Sequence, residues 1–157
     1  MRLTEIHYTD EDIVQKRGSV AQRFCQSSPS MQGGRMAELS TDDLELLLAL
    51  YDEEFLHNRW KQEIGRELKF SLSTRMSKSA GKTVAKKRRV GGGPPVIVDL
   101  EIRIALNFFL RFHEIAGTKL VCGLEAPNAL WALLLVMEHE LCHVIELTYF
   151  QNSSCKQ

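Results

Sequence analysis

The stretch His139-Glu140-Leu141-Cys142-His143 lies inside the apolar run Ala129 to Phe150 and reads His-Glu-x-x-His. On an α-helix, residues four apart stand one turn above one another on the same face, so His139 and His143 can offer imidazole nitrogens to one metal ion. Glu140 sits about 100° around the axis from His139. From there it can take a proton from an activated water without being a ligand itself. The pattern predicts a zinc hydrolase with Zn2+ as cofactor, His139 and His143 as ligands and Glu140 as general base. The competing reading makes both histidines ordinary hydrogen-bonded residues on a packed helix.

Moving outward, the segment Gly123 to Asn128 is punctuated by a glycine, a proline and an asparagine, and neither glycine nor proline follows before Phe150. One long helix capped by Asn128 is the expectation. Leu130, Leu134, Met137, Leu141 and Ile145 make an apolar stripe, and Leu133, Val136, Val144 and Leu147 fill the adjoining surface, as in a central helix. Glu138, Glu140 and the two histidines on such a helix carry a desolvation cost that a metal would offset. Cys142 is expected to be a small buried apolar residue.

At 157 residues the chain suits one domain with a real core. Twenty basic residues balance twenty acidic ones, so net charge selects no class of partner, although the middle of the chain is locally basic. The four cysteines, Cys25, Cys122, Cys142 and Cys155, lack the paired close spacing of a zinc ribbon or a dense disulfide framework. Acids at Glu5, Asp10, Glu11 and Asp12 break any signal peptide, and the longest apolar run, Ala129 to Met137, is too short for a bilayer. The expected location is intracellular and cytoplasmic, with no membrane partner.

Residues 1–37 show no sustained periodicity, and Gln26 to Gly34 reads as part of a flexible leader. The domain, 38–157, opens at Ser40-Thr41-Asp42-Asp43, where Ser40 or Thr41 caps a helix whose buried face is Leu44, Leu47, Leu48, Tyr51, Phe55 and Leu56. Alternation predicts a strand over Leu68 to Met76, broken or bulged at Ala80-Gly81, and a second over Lys82 to Val90. Val96, Val98, Leu100, Ile102 and Ile104 mark the best strand. A helix follows through Leu106, Phe109, Leu110 and Phe112, and Lys119 to Gly123 is a brief extended piece. The order implies an α+β domain, a short antiparallel or mixed sheet with helices packed on one face and a long central motif helix.

Leu46 to Trp60 with Tyr51-Asp52, Ser77-Lys78-Ser79-Ala80-Gly81-Lys82, the strand Val96 to Ile104, and Met137-Glu138-His139-Glu140-Leu141-Cys142-His143 together resemble the SprT-like zinc metalloproteases, to which the DNA–protein crosslink protease Spartan belongs. The similarity runs from about Leu39 to the end of the motif helix. It implies a minimal zincin-like fold and hydrolysis of peptide bonds in protein substrates, including DNA-associated proteins. It also implies that His139 and His143 hold zinc and that Glu140 is the base. The family's third ligand is a histidine well downstream on a further helix. No histidine follows His143 here, so the expectation is a C-terminally incomplete member whose activity depends on a ligand the sequence does not identify. Glu146 at i+7 from His139 reads as a neighbouring or surface residue, and Cys155 as a thiolate able to fold back. His7, His57 and His113 match nothing in the family pattern.

Between Arg75 and Arg89 lie seven cations and no acid: Arg75, Lys78, Lys82, Lys86, Lys87, Arg88 and Arg89. Clustered cations on a hairpin can neutralise DNA phosphates without reading sequence. The run holds no aromatic residue for base stacking, and lysines also protect a solvated strand edge. The alternative function is therefore a catalytically inactive domain that binds nucleic acid or protein through this stretch. A further possibility is a structural remnant whose motif helix exposes apolar area and aggregates.

Overall fold

Turn residues and apolar periodicity divide the chain into helices, a run of strands, and a final long helix. The computed structural model describes residues 1–32, 35–114 and 120–150. Its helices α1 (Asp10–Ser27), α2 (Pro29–Gln32), α3 (Thr41–Phe55) and α4 (Trp60–Ile64) precede the strands β1 (Leu68–Ser73), β2 (Gly81–Arg88) and β3 (Val96–Ala105). A short helix α5 (Leu106–Leu110), a minimal hairpin of β4 (Leu120–Val121) and β5 (Leu124–Glu125), and α6 (Ala129–Phe150) follow. The class is α+β.

The helix starts obey their sequence signals. Ser40 Oγ accepts the Asp43 N–H while Asp43 accepts the Ser40 N–H, a reciprocal capping box at α3. Asn128 Oδ1 accepts the Trp131 N–H at 2.9 Å and so closes the first turn of α6.

β3 is the central strand, parallel to β1 and antiparallel to β2. Register places Leu68, Phe70 and Leu72 beside Leu100, Ile102 and Ile104, and these beside Ala85, Thr83 and Gly81. Cross-strand partners share a face, so this is the face that meets the helices: α6 packs on β2, and α3 on β1. The opposite face carries Lys69, Glu101, Arg103 and Lys82 and is polar. The expected alternation through Val96 and Val98 is corrected. A bulge at Lys86/Lys87 sets Lys86 opposite Asp99 but Lys87 opposite Ile97. The additional residue on β3 switches which parity faces inward, so Ile97 is buried while Val96 and Val98 are exposed. Ala80-Gly81 is not a break within a strand: β1 ends at Ser73, and Gly81 begins β2.

The flexible leader is also corrected. Thr9 caps α1 through the Asp12 N–H, and Val20, Ala21 and Phe24 are buried in the common core. The serines of the supposed linker are buried too. Ser28 and Ser30 donate to the two oxygens of Asp43 at 2.5 and 2.9 Å, which ties the entry of α3 to the exit of α1. The buried apolar residues of α1 are few and Val14 is exposed, a signal too sparse for periodicity to register. Gly33 and Gly34 lie outside the described residues.

α6 runs through the core with six consecutive residues, Ala132 to Met137, buried. The remnant with an exposed motif helix is therefore not what is seen. Cys142 departs from expectation in the other sense, being exposed on the side of α6 away from that core. Among the described residues, no helix is long and apolar enough to cross a membrane.

Candidate metal centre

The i, i+4 spacing on α6 brings the His139 and His143 rings together edge to face, with centroids 4.5 Å apart and Nε2 atoms 3.0 Å apart. In a tetrahedral zinc site with metal–nitrogen bonds of about 2.0–2.1 Å, two nitrogens stand roughly 3.3 Å apart. The observed separation needs an opening of a few tenths of an ångström to match. A ligating atom from each of His139, Glu140 and His143 lies within 4.8 Å of the others, and this cluster can hold a metal ion. Among the described residues, no other His, Cys, Asp or Glu joins it.

The local environment favours a ligating form of His143. Burial pushes the His143 imidazole below the usual histidine range, and the neighbouring His139 adds to this, while the Glu140 and Glu146 carboxylates oppose it. A neutral imidazole keeps a lone pair for a cation. Glu146 thus influences the site by its charge but stands outside the cluster.

Glu140 is 2% exposed, so its carboxylate must be satisfied from within. Thr83 on β2 donates its hydroxyl to Oε2 at 2.6 Å and approaches the Glu140 carbonyl at 3.3 Å. That contact exists because β2 and α6 approach closely at Gly81. A Cβ there would fall 2.5 Å from Val136 Cγ1 and 3.3 Å from Glu140 Cγ. Glycine in a strand signals such an approach, and it was the one sequence sign of this junction.

Behind the histidines, Glu138 accepts a two-pronged ion pair from Arg17 of α1 and the Tyr51 hydroxyl of α3 at 2.9 Å. Hydrogen bonding from Glu138 strengthens the Arg17 cation, and burial beside Glu138 pushes the Tyr51 phenol well up. Arg17 and Thr83 had no motif to reveal them.

Compared with protein-family models, with curated proteins and with solved structures, the chain finds no match. The geometry therefore carries the functional reading.

The cleft in front of His139 and Glu140, about 560 Å³, is also lined by Lys78, Lys82 and Phe108. The six predicted nucleic-acid-binding cations run from the loop before β2, along that strand, to just past its end. Lys78 and Lys82 border this cleft, and Lys82 shares the polar face of the sheet with Lys86, which edges a small depression with Lys69 and Glu101. Lys87 and Arg88 end β2, and Arg89 follows, all exposed. His7, His57 and His113 are exposed and away from the cluster. Cys155, the expected fold-back ligand, lies outside the described residues.

Proposed function

We propose that this chain is a zinc-dependent peptide-bond hydrolase of SprT-like, zincin-type design. The supporting observation is the convergence of His139 Nε2, His143 Nε2 and the Glu140 carboxylate beside an open cleft. His139 and His143, with a third ligand from outside the described cluster, would hold a zinc ion, which would supply Lewis-acid polarisation of the scissile carbonyl and a lowered pKa for a water. The chain's own residues do the rest. Thr83 fixes one oxygen of Glu140, so the carboxylate presents a set orientation to the attacking water, takes its proton and passes it to the departing amine. The buried floor of α6 keeps bulk solvent from the helix side of the site. Protein substrates, DNA-associated proteins among them, follow from the resemblance.

The test is elemental analysis of the purified chain together with digestion of an unfolded protein substrate. Near-stoichiometric zinc is expected, lost in His139→Ala and in His143→Ala, with Glu140→Gln keeping the metal and losing cleavage. A folded chain that takes up no zinc would sink this reading.

The exposure of Lys86, Lys87, Arg88 and Arg89 supports the second reading, an inactive module that binds nucleic acid or protein. It requires salt-sensitive DNA binding that persists when both histidines are replaced and fails when these four cations are neutralised.

A further inference from the structure

The cleft at the histidines continues sideways. Lys78, Ser79, Ala80 and Phe108 line both it and a second open depression of about 700 Å³, bounded by the loop between β1 and β2 and by α5. Volumes of this order hold several side chains.

Its charge is one-sided. Arg75, Lys78 and Arg111 face it against a single carboxylate, Glu114. All three cations are exposed, and none forms an ion pair among the described residues. The wall that carries two of them is fixed. Ser73 Oγ accepts the N–H groups of Arg75 and Met76 at 3.2 Å each, and Asn107 Nδ2 donates to the Thr74 carbonyl at 2.9 Å, pinning the loop to α5.

We infer that this depression is a substrate subsite for acidic side chains, so that bound peptides carry glutamate or aspartate beside the bond presented to His139, Glu140 and His143. The inference rests on the hydrolase reading for its orientation toward cleavage, and on the three cations for its selectivity. Arg75 and Arg111 can each grip a carboxylate with two donors. Phe108 gives the methylenes of a glutamate an apolar floor. Its ring packs edge-on with Phe109 and Phe112 at 5.1 and 5.7 Å between centroids, so it serves as floor rather than as an open platform for stacking a base. That favours a peptide over a nucleic-acid strand.

Binding and cleavage are measured separately. Zinc-loaded Glu140→Gln chain is titrated with fluorescent unstructured peptides of equal length bearing a run of glutamates, glutamines or lysines, and with a single-stranded DNA oligonucleotide. Three partly solvated charges predict about tenfold tighter binding of the glutamate peptide than of the glutamine peptide. Arg75→Ala with Arg111→Ala brings the two within about twofold, and Arg75→Glu with Arg111→Glu turns the preference toward lysine. Equal binding of glutamate and glutamine peptides by the parent chain overturns the subsite. So does a preference that disappears on neutralising Lys86 and Lys87 instead, or DNA binding tighter than the glutamate peptide and lost in the same arginine variants. The wild-type chain is then given the same peptides. Cleavage without preference for glutamate overturns the subsite and leaves the hydrolase reading standing. Selective binding with no cleavage of any peptide supports the subsite and removes the hydrolase reading.

Discussion

Arg17 and Glu138, 121 residues apart in the chain, meet in a two-pronged ion pair, Nε to Oε2 at 2.7 Å and the second guanidinium nitrogen to Oε1 at 2.9 Å. The side chains are 13% and 22% exposed, which places the pair nearer the buried than the surface case. Removing one partner of a fully buried pair costs about 3–5 kcal/mol, and partial solvation reduces this to about 1–3 kcal/mol here. Arg17→Ala should therefore lower Tm by roughly 3–10 °C. Arg17→Lys, with a single point charge, should recover only part of the loss. Thermal unfolding decides the matter, and an unchanged Tm in Arg17→Ala would show that α1 does not brace the motif helix.

Gly81→Ala places a methyl 2.5 Å from Val136 Cγ1. Overpacking of this kind costs about 1–3 kcal/mol, and relief by moving β2 outward would also withdraw Thr83 from Glu140. The expected result is a lower Tm together with a loss of cleavage larger than the stability change explains. Gly81→Ala combined with Val136→Ala should regain most of both. A double variant no better than Gly81→Ala alone would place the strain elsewhere.

Thr83→Val keeps the shape of the side chain and removes the hydroxyl that orients Glu140. Zinc content should stay as in the parent, while kcat falls about ten- to a hundredfold, the scale of a misplaced general base. Thr83→Ser should restore most of the rate. Equal kcat in Thr83→Val would remove the positioning role.

The motif helix was legible because three independent signals agree within one stretch: Asn128 as cap, the stripe from Leu130 to Ile145, and the paired histidines. The sheet was legible as well, except where Val98 enters the bulge, since a one-residue insertion leaves the composition of a strand unchanged while exchanging its faces. The helix α1 was not legible. Its packing rests on Val20, Ala21 and Phe24, while Arg17, Ser28 and Ser30 act through partners far away in sequence, and long-range pairing leaves no periodic trace. Thr83 was hidden for the same reason, because an alternating strand offers a threonine at many positions and only Glu140 on the helix packed against the sheet gives this one a role.

Asp43 supplies a pH signature. Burial pushes its carboxyl up, but hydrogen bonds from Ser28, Ser40 and Ser30 outweigh this and hold it below the usual aspartate range. With the folded pKa below the unfolded value of about 3.9, its contribution is fully present above that value and is lost as pH falls through the folded pKa. Asp43→Asn should therefore be less stable than the parent at neutral pH, by about 1–2 kcal/mol for a lost buried acceptor. The gap should close in acid below about pH 4. Urea unfolding across that range measures it, and a gap that widens toward acid would reverse the sign.

The junction of Thr83 with Glu140 spans 57 residues, and that of Arg17 with Glu138 spans more than twice as many. Both histidines and both acids belong to the element that leaves the ribosome after every other described one. During synthesis the residues of the sheet, its glycine seat and the bracing arginine are joined to the chain before those of α6. The growing chain therefore acquires the residues that frame the candidate metal centre before it acquires His139, Glu140 and His143. A chain that stops before α6 carries the frame and none of the groups able to hold a metal ion there.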